Sequence, residues 1–196
     1  MALLLGCGPM VSDSPMSAVA GRILKTGEAT TAPSNGTTPD GPSVVVQVVA
    51  TGATGRFYRV AENAGKDTFM HPDGLAIVLR GGGLVGTRGF GNDMMGGAVP
   101  PLNQILRDGA RHQRVIEVLD GQDQITTWVF DCETTRKGDE VLSALRQEFQ
   151  TTIFEETCTN DAFTFSNRYW RGRGGRVLQS LELASPALGY VAIVRI

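Results

Sequence analysis

The sequence predicts a mainly β protein, an antiparallel sheet forming a partly closed barrel or a two-sheet sandwich, with one or two short helices. Three observations carry that expectation. Twenty-five glycines punctuate the 196 residues, with few long helix-type repeats, as short strands joined by tight turns require. From residue 43 onward, β-branched and alternating apolar runs dominate. Pro72-Asp73-Gly74, Gly81-Gly82-Gly83 and Asp120-Gly121 then fall between those runs as turn signals. The length suits one domain that buries about 70% of its unfolded surface, so no metal is needed for folding. A formal charge of -2 argues against a nucleic-acid partner. No window is apolar enough over eighteen residues to cross a membrane as a helix.

The chain divides into three regions. Residues 1–7 read as a residual signal peptide and lipobox: Leu3-Leu4-Leu5-Gly6 is an apolar run ending in a small residue before Cys7. In a lipobox the cysteine thiol takes a diacylglyceryl group and becomes the mature N-terminus. The basic head of a signal peptide is expected upstream of Met1. The competing reading is an apolar N-terminus with a buried cysteine. Residues 8–42 read as a tether. Ser14-Pro15 opens a short helix carrying Met16, Val19, Ile23 and Leu24. The Thr-, Ser-, Gly- and Pro-rich stretch 28–42 follows as a flexible linker.

Residues 43–196 read as a single β domain. Strands are expected at 43–50, 55–62, 75–80 and 84–90, the last two as a hairpin about the glycine turn. Pro100-Pro101 starts a short helix with Leu102, Ile105 and Leu106, stopped at Gly109. Residues 114–119 and 124–132 form a hairpin across Asp120-Gly121, placing Trp128, Phe130 and Cys132 on one face. The stretch 140–158 admits a helix or two strands, and its Thr-rich second half favours strands. Strands at 163–171, 176–183 and 190–196 complete roughly ten to twelve, and closure would remove their exposed edges.

With Cys7 set aside, Cys132 and Cys158 are an even pair. In an exported protein such a pair reads as a disulfide, and otherwise as two buried thiols. A bridge closing about 26 residues would contribute roughly 3.5 kcal/mol in the chain-entropy model.

Two stretches carry a family likeness. One runs from Gly74-Leu75-Ala76-Ile77-Val78-Leu79-Arg80 through Leu84-Val85-Gly86-Thr87-Arg88-Gly89-Phe90-Gly91-Asn92-Asp93-Met94-Met95. The other joins Asn167-Arg168-Tyr169-Trp170 to Gly175-Arg176-Val177-Leu178-Gln179-Ser180 and Gly189-Tyr190-Val191. Both are similar to the YjbF-type group 4 capsule polysaccharide lipoprotein family, as are Phe130-Asp131-Cys132 and Glu156-Thr157-Cys158. The resemblance implies a barrel-like outer-membrane lipoprotein, periplasm-facing and lipid-anchored, that assists export or assembly of capsule or exopolysaccharide. It brings no catalytic residues and no cofactor, so a non-enzymatic protein is expected. Gly8, rather than aspartate, after Cys7 is consistent with outer-membrane sorting. Arg171-Gly172-Arg173-Gly174 departs from the acidic turn that family members tend to carry.

The remaining candidate chemistry is sparse. The glycines at 81–91 lack a P-loop or dinucleotide fingerprint and read as turns. His71 reads as a turn residue and His112 as exposed, so no metal site is expected. Asp131, Glu155 and Glu156 have the residue type for glycosidase work, with nothing to fix their separation. The candidate glycan or partner contacts are Arg168, Trp170, Arg171 and Arg173. Alternation sets Phe163, Phe165 and Tyr169 on a core face and Arg168 and Trp170 on the other. There Trp170 either stacks on a sugar beside a cation or packs beneath a loop. The alternative to a glycan-binding role is a structural envelope lipoprotein that docks on an export-machinery partner.

Overall fold

A computed structural model describes residues 41–119, 122, 124–144 and 146–195. The expected lipobox with Cys7, the tether helix, nearly all of the linker and the Asp120-Gly121 turn lie outside the described residues. The strands, in chain order, are β1 (Ser43–Val48), β2 (Thr54–Asn63), β3 (Lys66–Met70), β4 (Ala76–Arg80), β5 (Gly83–Arg88) and β6 (Met94–Ala98). After the helix α1 (Leu102–Ile105) come β7 (Ala110–Leu119), β8 (Ile125–Ala144), β9 (Gln147–Thr159), β10 (Thr164–Gly172), β11 (Val177–Ser185) and β12 (Gly189–Arg195).

All twelve strands belong to one antiparallel sheet in the order β5-β4-β3-β2-β1-β12-β11-β10-β9-β8-β7-β6, nearly closed into a barrel. The barrel expectation therefore holds and the two-sheet alternative falls. Chain order is kept around the sheet, with β1 and β12 meeting through Val44 opposite Arg195 and Val46 opposite Ile193.

The two ends of the sheet, β5 and β6, meet through side chains. The Met94 amide donates to Thr87 Oγ1 at 2.9 Å, and that hydroxyl donates to Asp93 Oδ1 at 2.7 Å. Arg88 reaches the carbonyls of Met94 and Met95 at 2.9 and 2.8 Å. Gly97 permits the approach, because a Cβ there would stand 3.0 Å from the Val115 carbonyl oxygen and 3.4 Å from Val85 Cα. A strand with two glycines and no alternation gives no period-2 signal, so sequence reading missed β6. It also missed β3, whose Lys66-Asp67-Thr68 start is polar.

The interior is filled by inward side chains of nearly every strand, among them Val46, Phe57, Ile77, Leu84, Ile116, Phe130, Val191 and Ile193. Phe130 meets Phe165 and Phe163 edge-on, at ring separations of 4.9 and 5.1 Å. Such pairs add about 0.5–1.5 kcal/mol beyond their burial. Cys132 and Cys158 are directly opposed on β8 and β9 and form a disulfide. They share the inward face with these rings, as alternation along 128–132 indicates.

At one end of the barrel α1 acts as a plug. Leu102, Ile105 and Leu106 are buried with Val85, Val99, Phe154 and Tyr169. The β4–β5 turn lies against it: Gly81 has φ +53° and would clash with Pro101 if it carried a Cβ, 2.7 Å from Pro101 Cα. The helix ends at Ile105, before the expected stop at Gly109. Residues 140–144 and 147–158 of the ambiguous stretch are strand, as favoured. Its first half continues β8 through a register shift between Arg136 and Gly138 rather than forming a separate strand.

Candidate functional site

The centre of the barrel is polar where the sequence promised only packing. Alternation along β7 turns Arg114 inward with Ile116 and Val118; along β9 it turns Glu156 inward between Phe154 and Cys158. Arg114 Nε and Nη2 donate to Glu156 Oε1 and Oε2 at 3.2 and 3.0 Å. Arg114 Nη2 also donates to Tyr169 Oη at 2.8 Å. The Tyr169 hydroxyl lies 2.9 Å from Glu156 Oε2 and 3.3 Å from Glu182 Oε2, so its proton serves a carboxylate. Asn167 Nδ2 donates to Glu156 Oε2 at 2.7 Å, while its Oδ1 accepts the Leu183 amide at 2.8 Å.

Glu182 extends the network toward the β4–β5 turn. Its Oε2 accepts the Leu84 amide at 2.9 Å, and its Oε1 lies 3.5 Å from Arg195 Nη2. Arg195 Nη2 also donates to the Gly82 carbonyl at 2.7 Å. Two guanidinium groups thus face two carboxylates, in keeping with the rule that buried charges are paired.

The protonation states follow from these contacts. Burial pushes the Glu156 carboxyl up, but Arg114 and the bonds from His112 and Asn167 outweigh it and hold the group at about 2. Burial lowers Arg114, yet the charges of Glu156, Tyr169 and Glu182 more than reverse this and raise it. Burial keeps Tyr169 well above its ordinary value, so it remains a hydroxyl donor. Burial lowers Arg195, with Glu182 acting against the shift.

The Glu156 carboxyl is depressed from 4.5 to about 2, so its stabilising contribution is complete above the unfolded value and disappears as pH falls through the folded one. The gap corresponds to roughly 3 kcal/mol. The urea midpoint is therefore expected to fall steeply as pH drops from about 4.5 to 2. Glu156→Gln, less stable at neutral pH, is expected to show a flatter acid limb.

His112 overturns its exposed reading. Its side chain is only 5% accessible, and Nε2 lies 2.6 Å from Glu156 Oε1. His112, Cys132 and Glu156 approach one another as metal ligands do, but the Cys132 sulfur is committed to the disulfide. The two remaining donors fall short of the three or four a zinc site takes. Glu156 meanwhile has its oxygens occupied by Arg114, Asn167, Tyr169 and His112, which makes it a structural clamp rather than a free acid or base. His71 does sit in a turn, between β3 and β4, where its Nδ1 accepts the Asp73 amide at 3.2 Å.

The four residues named for glycan or partner contact are dispersed. Trp170 is 1% exposed and packs with Leu142, Ala144, Leu181, Ala192 and Val194. This is the packing alternative, and a ring enclosed this way offers no face to a sugar. Arg168 is partly buried and tied to Glu155 Oε2 at 2.8 Å, with Lys137 on the other carboxylate oxygen at 3.0 Å. Arg171 turns toward the α1 plug: it donates to the Leu106 carbonyl at 2.8 Å and stands 4.4 Å over the Phe154 ring. Arg173 is exposed in the β10–β11 turn and has no ion pair among the described residues.

Arg171 and Arg173 line the same groove of about 500 Å³, with Asp139, Gln150 and Thr152 on its other side. Asp139 is engaged by Arg136 at 2.7 Å and by Thr152 at 2.8 Å. A broader groove of about 750 Å³ crosses the outer face of β7, β8 and β9. Its Arg111 and Glu133 are paired, as are Gln113 and Asp131.

The protein is thus of the nearly closed antiparallel β-barrel class, with a charge-paired interior, a plugging helix and a cross-strand disulfide. The chain belongs to the family described as group 4 capsule polysaccharide lipoprotein gfcB, YjbF, whose model matches residues 22–196. Its fold is similar to the crystal structure of the hypothetical lipoprotein YmcC from Escherichia coli (K12). That likeness has a TM-score of 0.70 at 17% identity and covers 80% of this chain and 84% of that one. No curated protein matches the chain.

Proposed function

We propose that the protein is an outer-membrane lipoprotein, anchored through Cys7 and facing the periplasm, that assists capsule or exopolysaccharide export or assembly by binding the glycan rather than by catalysis. Membership of a capsule polysaccharide lipoprotein family supports the process. The α1-end groove carries the binding reading: the exposed Arg173 beside Arg171 and the amide of Gln150 suit an acidic polymer. Of the three candidate carboxylates, Glu156 is paired with Arg114 and Glu155 with Arg168 and Lys137, while Asp131 accepts from the Gln113 amide. A diacylated cysteine would hold the chain at the membrane, since each buried CH₂ contributes about 0.8 kcal/mol.

Binding of polygalacturonate, an acidic polysaccharide probe, tests the groove. Affinity is expected to fall on the order of tenfold in Arg173→Glu, equivalent to about 1.4 kcal/mol. Added salt is expected to weaken wild-type binding in the same direction. Retention of wild-type affinity by Arg173→Glu would remove the groove from the account. Absence of any binding would favour docking on an export-machinery protein instead.

A further inference from the structure

The end of the barrel opposite α1 carries a cleft of about 340 Å³, set between the β5–β6 loop, the β11–β12 turn, the end of β7 and the start of β8. Asn92, Met95, Leu119, Trp128, Pro186 and Ala187 line it. A mostly apolar concavity of this size with a few polar groups is the ordinary form of a small-ligand site.

The walls are held in place from both sides. Trp128 has the parity of Phe130 and Cys132, so it turns into the barrel mouth, where Phe163 meets it edge-on at 5.5 Å. Trp170 is sealed, whereas Trp128 is only partly buried. Across the cleft, Asp93 accepts the Gly89 and Phe90 amides at 2.8 and 3.2 Å. The Asn92 carbonyl accepts from Ser185 Oγ at 2.7 Å, and that oxygen accepts the Leu188 amide at 3.0 Å.

Two polar groups are left unspent by this scaffolding. The Trp128 indole N–H and the Asn92 side-chain amide make no hydrogen bond among the described residues. Charge is spent or absent. Among the described residues no cationic side chain lines the cleft, and the Asp93 carboxylate is taken by the Thr87 hydroxyl and the two amides.

We propose that this cleft binds an uncharged pyranose unit of a glycan, with Trp128 as the stacking ring and Asn92 as a hydroxyl partner. The occupant has to be apolar on one face and hydrogen-bonding at its rim. A pyranose is both: its polarised C–H groups seat on the negative face of an aromatic ring, while its hydroxyls reach the amide and the indole N–H. A wholly apolar ligand would strip water from those two groups without replacing their bonds, and an anion would find no cation to pair with. The site extends the glycan-binding reading above and lies at the other end of the barrel from the Arg173 groove, which suits acidic units.

Titration calorimetry of the full chain carrying Cys7→Ser with cellohexaose, laminarihexaose and mannohexaose tests the cleft. At least one of the three neutral oligosaccharides is expected to bind, with an affinity that added salt leaves unchanged. Trp128→Ala is expected to weaken it at least about tenfold. Because that variant also removes packing against Phe163, Asn92→Ala is the cleaner companion. It is expected to weaken binding about three- to tenfold, the scale of one hydrogen bond, with an unchanged urea midpoint. Arg173→Glu is expected to leave neutral-sugar binding intact, and Asn92→Ala to leave polygalacturonate binding intact. The proposal is overturned if none of the three oligosaccharides binds, whatever polygalacturonate does. It is equally overturned if Asn92→Ala keeps the full wild-type affinity. Neutral-sugar binding that depends on Trp128 and Asn92, with none to polygalacturonate, would support this cleft and remove the Arg173 groove alone.

Discussion

Arg114→Ala is expected to lower the free energy of unfolding by about 3–5 kcal/mol. Arg114 is fully enclosed and donates to Glu156, Tyr169 and, more weakly, the Leu84 carbonyl. Its removal leaves Glu156 and Glu182 buried with one guanidinium, Arg195, which reaches Glu182 and not Glu156. The cost is dominated by the uncompensated carboxylate, with a cavity added. The corresponding double variant, Arg114→Met with Glu156→Leu, removes both charges and is expected to recover much of the loss, because a buried pair offsets its own desolvation only narrowly. Urea unfolding of the two single variants and the double variant measures this as a coupling energy. An Arg114→Ala loss below about 1 kcal/mol, the scale of an exposed pair, would contradict a sealed polar centre.

Reduction of the Cys132–Cys158 disulfide is expected to cost about 3.5 kcal/mol, since the bridge closes a loop of 26 residues and removes unfolded-chain entropy in proportion. The sulfurs sit between opposed strands within the aromatic interior, so Cys132→Ala with Cys158→Ala preserves the apolar surroundings while releasing the crosslink. The expected signature is a lower urea midpoint in the double variant, with the oxidised wild type unaffected by transfer between buffers. Thiol counting under denaturing conditions checks the starting state: only the thiol of Cys7, if unlipidated, is expected to react before reduction. The bridge lies beside the network, with the Cys132 sulfur within 4.8 Å of the Glu156 carboxylate and His112, so combining Arg114→Ala with loss of the bridge is expected to depart from additivity by roughly 0.5–3 kcal/mol.

Most of the sheet was legible in the sequence because its strands keep an alternating pattern between turn residues. The hairpin about Gly81-Gly82-Gly83 and the last three strands match their expected positions to within about two residues, the usual uncertainty of a boundary. β3 and β6 escaped because a polar hairpin and a Met-Met-Gly-Gly run carry no period. The choice between barrel and sandwich was not legible: it depends on β1 meeting β12 and on β5 meeting β6, both contacts between non-adjacent or loop-joined strands. The buried network did have a signal. Arg114 has the parity of Ile116 and Val118, Glu156 that of Phe154 and Cys158, and Asn167 that of Phe165 and Tyr169. Reading polar residues by parity rather than by type would have placed all three inside. Trp170 follows its packing alternative although its parity is outward, since the outward face of β10 is covered by a second apolar cluster formed with distant strands.

The proposed anchoring of this lipoprotein in the envelope through Cys7 is tested most directly by mass spectrometry of the protein recovered from separated membranes. For a chain expressed with a full signal peptide in a cell competent for export and lipidation, the predicted result is outer-membrane recovery with a diacylglyceryl-sized addition on the Cys7 peptide. An unmodified Cys7 in a soluble fraction would contradict the account, leaving the family membership and the barrel in place but without the anchor.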